Sequence, residues 1–207
     1  MENNLALWNR VDKTDPAFTK NVSYGRKYTA IDPQYQLKNA TREWGPYGAT
    51  WGLRDLQYSE IETPPYADNK PASTEVRLVA EFFYPDGSFP IVASQRLKPD
   101  DDVYIKVFTH ARSKALSLLG FNSDIYEGKY EDVKYVQQAK GISEAMESLR
   151  GKAAAAINVA TTNEKIQDIR AKATERYRRN EIDDILHQDI QLMCNERERK
   201  LNADPKN

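Results

Sequence analysis

The segment 101–128 constrains the fold of this chain most, because its spacing is that of a long amphipathic helix stopped by a glycine. One stripe is apolar and is predicted to face a core: Tyr104, Phe108, Ala111, Ala115 and Leu118. A second stripe is polar and carries cations: Lys106, His110, Ser113, Lys114 and Ser117. The aspartates at 100–102 suit the start of a helix, and Gly120 suits its left-handed end. Such a cationic face can hold a polyanion, although most faces of this kind are only solvated surface.

Composition bounds the class of protein. Of the 207 residues, 40% are apolar and 10% aromatic, which supports a packed core. Lysine and arginine total 30 against 31 acidic residues, so a nucleic-acid binder of this composition must segregate its cations. Cys194 is the single cysteine, which excludes an internal disulfide and a cysteine-based zinc cluster and fits a reducing cytosol. Neither a signal peptide nor a membrane span is predicted, so we expect a soluble cytoplasmic protein.

The pattern upstream of the helix predicts strands. Asp32-Pro33 begins a helix and Gly45-Pro46 ends it. Strand spacing starts at Thr50, and a β-hairpin is predicted from 75–84 and 89–97 around a Pro-Asp-Gly-Ser turn. At least three antiparallel strands, packed against the long helix, predict an α+β fold built on a β-meander.

Beyond Gly128 the pattern is helical. One apolar stripe is predicted to be buried: Ile142, Ala145, Met146, Leu149, Ala153, Ala156, Ile157 and Ala160. Thr161 and Glu164 fit a capping box that opens another helix, and a C-terminal helical hairpin follows from the short link. The predicted domains are 1–135 for the α+β core, 136–201 for the helical region and 202–207 for a frayed tail.

No catalytic constellation is visible, so the chain is predicted not to be an enzyme and to need no cofactor or metal. His110 and His187 each lack a second histidine at metal-ligand spacing. The sequence around Gly151-Lys152 lacks the glycine of a phosphate loop, and Cys194 has no nearby histidine to activate it. Asp183 and Asp184 leave open a nuclease accessory that uses a metal, against the ordinary reading of a solvated helix face.

Aromatic residues crowd the N-terminal third. Trp44 and Trp51 are interpreted as core anchors beside the glycine turn. Aromatics interleaved with cations also suit single-stranded nucleic acid, whose bases stack on rings while phosphates meet cations. The residues concerned are Tyr24, Tyr28, Tyr47, Lys20, Arg26, Lys27 and Arg42. For the stretch 20–28 both this reading and that of a polar loop facing water stay open.

Several segments, taken in order, resemble phage single-strand annealing proteins of the superfamily of the eukaryotic recombination mediator Rad-fifty-two. They are TDPAFTK at 14–20, the stretch 28–53, a hairpin, and SKALSLLGFNSDIYEGKYED at 113–132. Within them, Trp44-Gly45 and Gly48-x-x-Trp51 match the family's helix, glycine turn and strand. Thr109, Lys114-Ala115-Leu116 and Gly120 match its long helix. The resemblance covers roughly 5–135 and leaves the helical region 136–207 without an assigned role.

The resemblance implies a protein that binds single-stranded DNA in a groove around an oligomeric ring and pairs complementary strands without ATP. By position it assigns DNA contact to Lys114, Arg26 and Lys27. We add Lys106 from the helical stripe and Lys20 from local charge. A homo-oligomeric ring or filament is expected, with a host single-strand-binding protein as a candidate partner and the cytoplasm of a bacterial host as the location if a phage encodes the chain. The alternative is an oligomeric scaffold that docks a partner through its helical tail and binds no DNA.

Overall fold

The computed structural model describes residues 4–23, 28–64, 72–98 and 102–203, and the chain divides into two compact units, Met1–Val133 and Lys134–Asn207. The α+β prediction is confirmed. The helices are α1 Ala6–Val11, α2 Pro33–Trp44, α3 Val103–Leu118, α4 Ser123–Tyr126, α5 Val133–Val159, α6 Asn163–Arg178 and α7 Asp184–Ala203. The strands are β1 Thr19–Val22, β2 Tyr28–Ile31, β3 Gly52–Thr63, β4 Ser73–Tyr84 and β5 Gly87–Arg96.

The predicted meander is a three-stranded antiparallel sheet in the order β3-β4-β5. The hairpin between β4 and β5 is confirmed, with Tyr84 opposite Gly87 and a tight turn at Pro85-Asp86. The pairing of β3 with β4 shifts register between Arg54 and Gln57, and Asp55 there has a φ of 55°. Such a bulge bends a strand and increases its local twist.

The long helix α3 packs across β4 and β5, but the face that it buries differs from the predicted face. Its fully buried apolar residues recur every four positions: Val103, Val107, Ala111 and Ala115. Tyr104 is instead 45% exposed and Leu118 is 58% exposed, so the prediction that they face the core is wrong. Because Ala111 and Ala115 are small, the helix can approach the sheet closely. The stripe that contains them is therefore buried, whereas the larger Tyr104 and Leu118 stay outside the core.

The helix α2 begins and ends where the local signals predicted. The Asp32 carboxylate accepts a hydrogen bond from the backbone N–H of Gln34 at 2.8 Å, and Gly45 closes the helix with a φ of 91°. Trp51 is fully buried, and its indole N–H donates to the Gly45 carbonyl at 2.9 Å. Trp44 packs edge-on against Phe121 at a centroid distance of 5.0 Å. Both tryptophans therefore anchor the core, as interpreted from the sequence.

Two short strands were not predicted. β1 and β2 pair antiparallel, with Lys20 opposite Ala30 and Val22 opposite Tyr28. Each strand has only four residues of mixed polarity, as a polar loop would, so the sequence pattern does not reveal them as strands. They form a separate two-stranded sheet in this unit.

A buried polar cluster attaches the segment that follows α1 to the segment that follows α3. Thr14 donates to the Asp124 carboxylate through its backbone N–H at 2.9 Å and through its hydroxyl. Asn122, with a φ of 58°, donates its side-chain amide to the Thr14 hydroxyl, and Tyr130 donates to the Thr14 carbonyl. Asp124 is 1% exposed, so these hydrogen bonds provide the polar partners that burial of the carboxylate requires.

The second unit contains three helices, α5, α6 and α7, whose buried side chains share one core. The predicted hairpin joined the helix of 142–160 to one helix opening at Thr161. In the structure that second helix is divided into α6 and α7, which pack against each other. Part of the apolar stripe predicted for α5 is wrong: Ile142 is 53% exposed, and Ala145 and Ala156 are exposed as well. The side chains of the stripe that pack are Met146, Leu149, Ala153, Ile157 and Ala160. The capping residue of α6 is Thr162, whose hydroxyl accepts from the Lys165 N–H at 3.4 Å, and not the predicted Thr161.

We predict that Cys194 reacts slowly with alkylating reagents in the folded protein. The side chain is fully buried on α7, and burial raises the pKa of its thiol, which lowers the fraction of reactive thiolate. At mildly alkaline pH, iodoacetamide labelling followed by mass spectrometry should be roughly tenfold or more slower than in denaturing urea. Equal rates in the two conditions would contradict the packing of α7.

Candidate nucleic-acid interface

The structure places two of the five predicted DNA-binding cations together. Lys106 and Lys114 lie on one exposed stripe of α3, with His110 between them. The step of eight positions from Lys106 to Lys114 corresponds to about 12 Å along the helix axis. Lys20 is exposed on β1, in the separate two-stranded sheet, and Arg26 and Lys27 lie outside the described residues.

The charge of Lys114 is not neutralised by its hydrogen-bond acceptor. Its ammonium donates to the backbone carbonyl of Val92 on β5 at 3.1 Å. Several other cations of the same unit meet carboxylates instead. Arg10 pairs with Glu43, Arg54 with Glu81, and Lys129 with Glu127. Lys114 therefore presents its positive charge to an anion more directly than these paired side chains do.

Sequence reasoning missed Arg112, which lies on the packed side of α3. The side chain is 9% exposed, and its buried Nε has no hydrogen-bond acceptor. The guanidinium carbon lies 5.9 Å from the centroid of the Tyr47 ring, a cation–π distance. Burial lowers the pKa of this guanidinium, which nevertheless remains a cation. A cation within an otherwise apolar helical stripe is the sequence signal that could have found it.

Two exposed tyrosines face each other across α3 and β3. Tyr58 is 40% exposed and Tyr104 is 45% exposed, and their rings meet edge-on at 5.3 Å. The Tyr104 hydroxyl donates to the Glu60 carboxylate at 2.8 Å, and that hydrogen bond raises the pKa of Tyr104. The pKa of Tyr58 is raised by partial burial. The pair presents aromatic surface to solvent, which is what base stacking uses.

The acidic residues considered for a metal site have other roles. The Asp183 carboxylate accepts from the backbone N–H of Leu186, and that of Asp184 accepts from the Gln188 amide. His187 stacks on Tyr177 at 4.6 Å. Across residues 4–23, 28–64, 72–98 and 102–203, no cluster of three or more histidine, cysteine, aspartate or glutamate side chains is arranged to hold a metal ion. These contacts account for Asp183 as a helix-capping residue and for Asp184 as the partner of Gln188 within α7.

Comparison with known protein families, curated proteins and solved structures finds no match to this chain. None of the helices in the described part of the chain has the length and apolar character to cross a membrane.

Proposed function

We propose that the protein binds single-stranded DNA and promotes the annealing of complementary strands without ATP. The observation that carries the proposal is the exposed cation stripe of α3, in which Lys106 and Lys114 flank His110. The Lys114 ammonium donates its hydrogen bond to a backbone carbonyl and not to a carboxylate. Cations arranged along one helix can neutralise successive phosphates and release their counterions. Base pairing then supplies sequence information, and the protein needs none.

Annealing adds one requirement to binding. A bound strand must keep its bases accessible while its phosphates are neutralised, so that a second strand can test pairing against it. Screening of the first strand lowers the repulsion that the second strand meets. We further propose a ring or filament of identical chains, since a strand that spans several copies would be presented as a continuous template.

Reversing the charge of Lys114 should abolish binding to a single-stranded oligonucleotide while the fold is kept. Lys114→Glu replaces an attraction for phosphate by a repulsion within the stripe. Lys152→Glu is the matched control, because it makes the same change of charge at an exposed position of α5. Fluorescence anisotropy with a labelled oligonucleotide measures affinity, and circular dichroism checks the fold.

The same preparations can be tested for annealing of two complementary oligonucleotides without nucleotide. The unaltered chain and Lys152→Glu should accelerate annealing, and Lys114→Glu should not. Binding by the unaltered chain should weaken steeply as salt is raised. Equal affinity of Lys114→Glu and the unaltered chain would refute the role of the stripe.

A scaffold that binds no DNA is the second candidate, favoured by exposed apolar residues on α5. Val133 is 70% exposed, Ile142 is 53% exposed and Val159 is 75% exposed. Such side chains can pack against a second copy or another protein. Assembly seen by mass photometry, without any oligonucleotide binding in low salt, would favour this function over annealing.

A further inference from the structure

The buried guanidinium of Arg112 has no anion to compensate its charge in the described part of the chain. Removing a charge from water is costly unless a partner of opposite charge replaces the lost hydration. The Tyr47 ring at 5.9 Å supplies only part of that compensation, and the Arg112 Nε still lacks an acceptor. The site is therefore electrostatically complementary to an anion.

The Arg112–Tyr47 pair and the Tyr58–Tyr104 pair lie at two ends of one track between α3 and β3. From Tyr104 to Arg112 the helix advances by about 12 Å. On the sheet, Tyr58 is opposite Leu78 and Leu53 is opposite Phe82, a separation of about 13 Å along the strand. The Tyr47 hydroxyl accepts from the Leu53 N–H at 3.2 Å, which places Tyr47 at that second position.

The side of the track formed by β3 stays exposed because α3 covers β4 and β5. Tyr58 and Glu60 pair across the sheet with the buried Leu78 and Val76, so they belong to the face on which α3 lies. Glu60 accepts the hydrogen bond from the Tyr104 hydroxyl, and the Tyr58 and Tyr104 side chains stay partly exposed. Its negative charge disfavours a phosphate at this end and leaves stacking as the available contact.

We propose that this track, defined by Tyr47, Tyr58, Tyr104 and Arg112, binds a short stretch of single-stranded DNA. Arg112 takes a backbone phosphate, for which a guanidinium fork is suited, and the Tyr58–Tyr104 pair stacks a base. This inference rests on the proposed single-strand binding and adds a second contact area, since Arg112 lies on the opposite side of α3 from Lys114. The strand thereby passes over the helix from the cation stripe to the track.

The first test is Arg112→Met, which keeps the length of the side chain and removes its charge. With the full chain and a labelled oligo-dT, anisotropy should show a loss of affinity of roughly tenfold or more and a salt slope smaller by about one. Arg77→Met is the matched control, because Arg77 is exposed on the outer sheet face and should leave both quantities unchanged. Arg112→Lys should retain part of the affinity.

The second test separates stacking from charge. The unaltered protein should lose affinity when the oligonucleotide is replaced by an abasic strand of the same length, whereas Tyr104→Leu should bind both strands equally. This test also decides the proposal if Arg112→Met fails to fold. A Tyr104→Leu variant with the full preference for bases would overturn it.

The remaining outcomes distinguish the two proposals. If Arg112→Met binds like Arg77→Met while Lys114→Glu does not bind, the track is overturned and the proposed function stands. If Arg112→Met loses assembly in mass photometry without DNA, Arg112 contacts a second copy and the track is again overturned. Absence of binding by the unaltered chain would overturn both.

Discussion

Replacing Gly120 by alanine should lower the free energy of unfolding by about 3 kcal/mol. Gly120 has a φ of 94°, a conformation that side-chain-bearing residues rarely adopt. An added Cβ would lie 2.5 Å from the Trp8 indole, well inside van der Waals contact. Backbone strain and steric overlap therefore act together at the point where the chain leaves α3.

Urea unfolding followed by circular dichroism measures this loss. Gly128→Ala is the matched control, since Gly128 has a φ of 77° but no atom within 4 Å of the added Cβ. It should show the backbone strain alone, about 1 kcal/mol. If the two variants lose the same stability, Trp8 does not pack over Gly120 as described.

Removing the Asp124 carboxylate should cost about 3 kcal/mol of stability. Asp124→Ala leaves the buried N–H and hydroxyl of Thr14 without their acceptor, whereas the Ile125 N–H loses one acceptor and keeps the Asn122 carbonyl at 3.1 Å. The loss is large because each orphaned donor keeps its desolvation penalty. Asp86→Ala, at the exposed hairpin turn, should change stability little.

A double-mutant cycle tests whether the loss arises at this contact. Thr14→Ala removes the hydroxyl of the partner, so the Thr14→Ala, Asp124→Ala double variant should lose less than the sum of the single variants by about 1 kcal/mol. If the losses of stability in the two single variants simply add, the loss in Asp124→Ala does not arise from its contact with Thr14. Thermal unfolding of the four proteins under one buffer condition completes the cycle.

The parts of the fold that short-range signals determine could be predicted from the sequence. Asp32-Pro33 and Gly45-Pro46 bound α2 because a capping carboxylate and a left-handed glycine act within one turn. The β4–β5 hairpin follows in the same way from its turn residues. The inward face of α3 could not be predicted, since whether Tyr104 or Val103 is buried depends on how closely the helix approaches the sheet.

In the candidate site too, features set by short-range signals could be predicted from the sequence, and features set by tertiary packing could not. Exposure of Lys106 and Lys114 follows from helical periodicity alone, and their role in DNA binding stays a prediction. The burial of Arg112 could not be predicted because it depends on Tyr47, a residue of the glycine turn that is far from Arg112 in sequence. The pairing of β1 with β2 likewise depends on contacts that local composition does not encode.

The order of the three-stranded sheet leaves β3 and β5 as its outer strands within the described residues. Outer strands expose backbone donors and acceptors that can template the addition of another chain. Here Pro90 deprives β5 of one donor, the Lys114 ammonium occupies the Val92 oxygen, and the bulge between Arg54 and Gln57 breaks the regularity of β3. These interruptions are obstacles to amyloid-like stacking, so the sheet is guarded against uncontrolled polymerisation on both flanks.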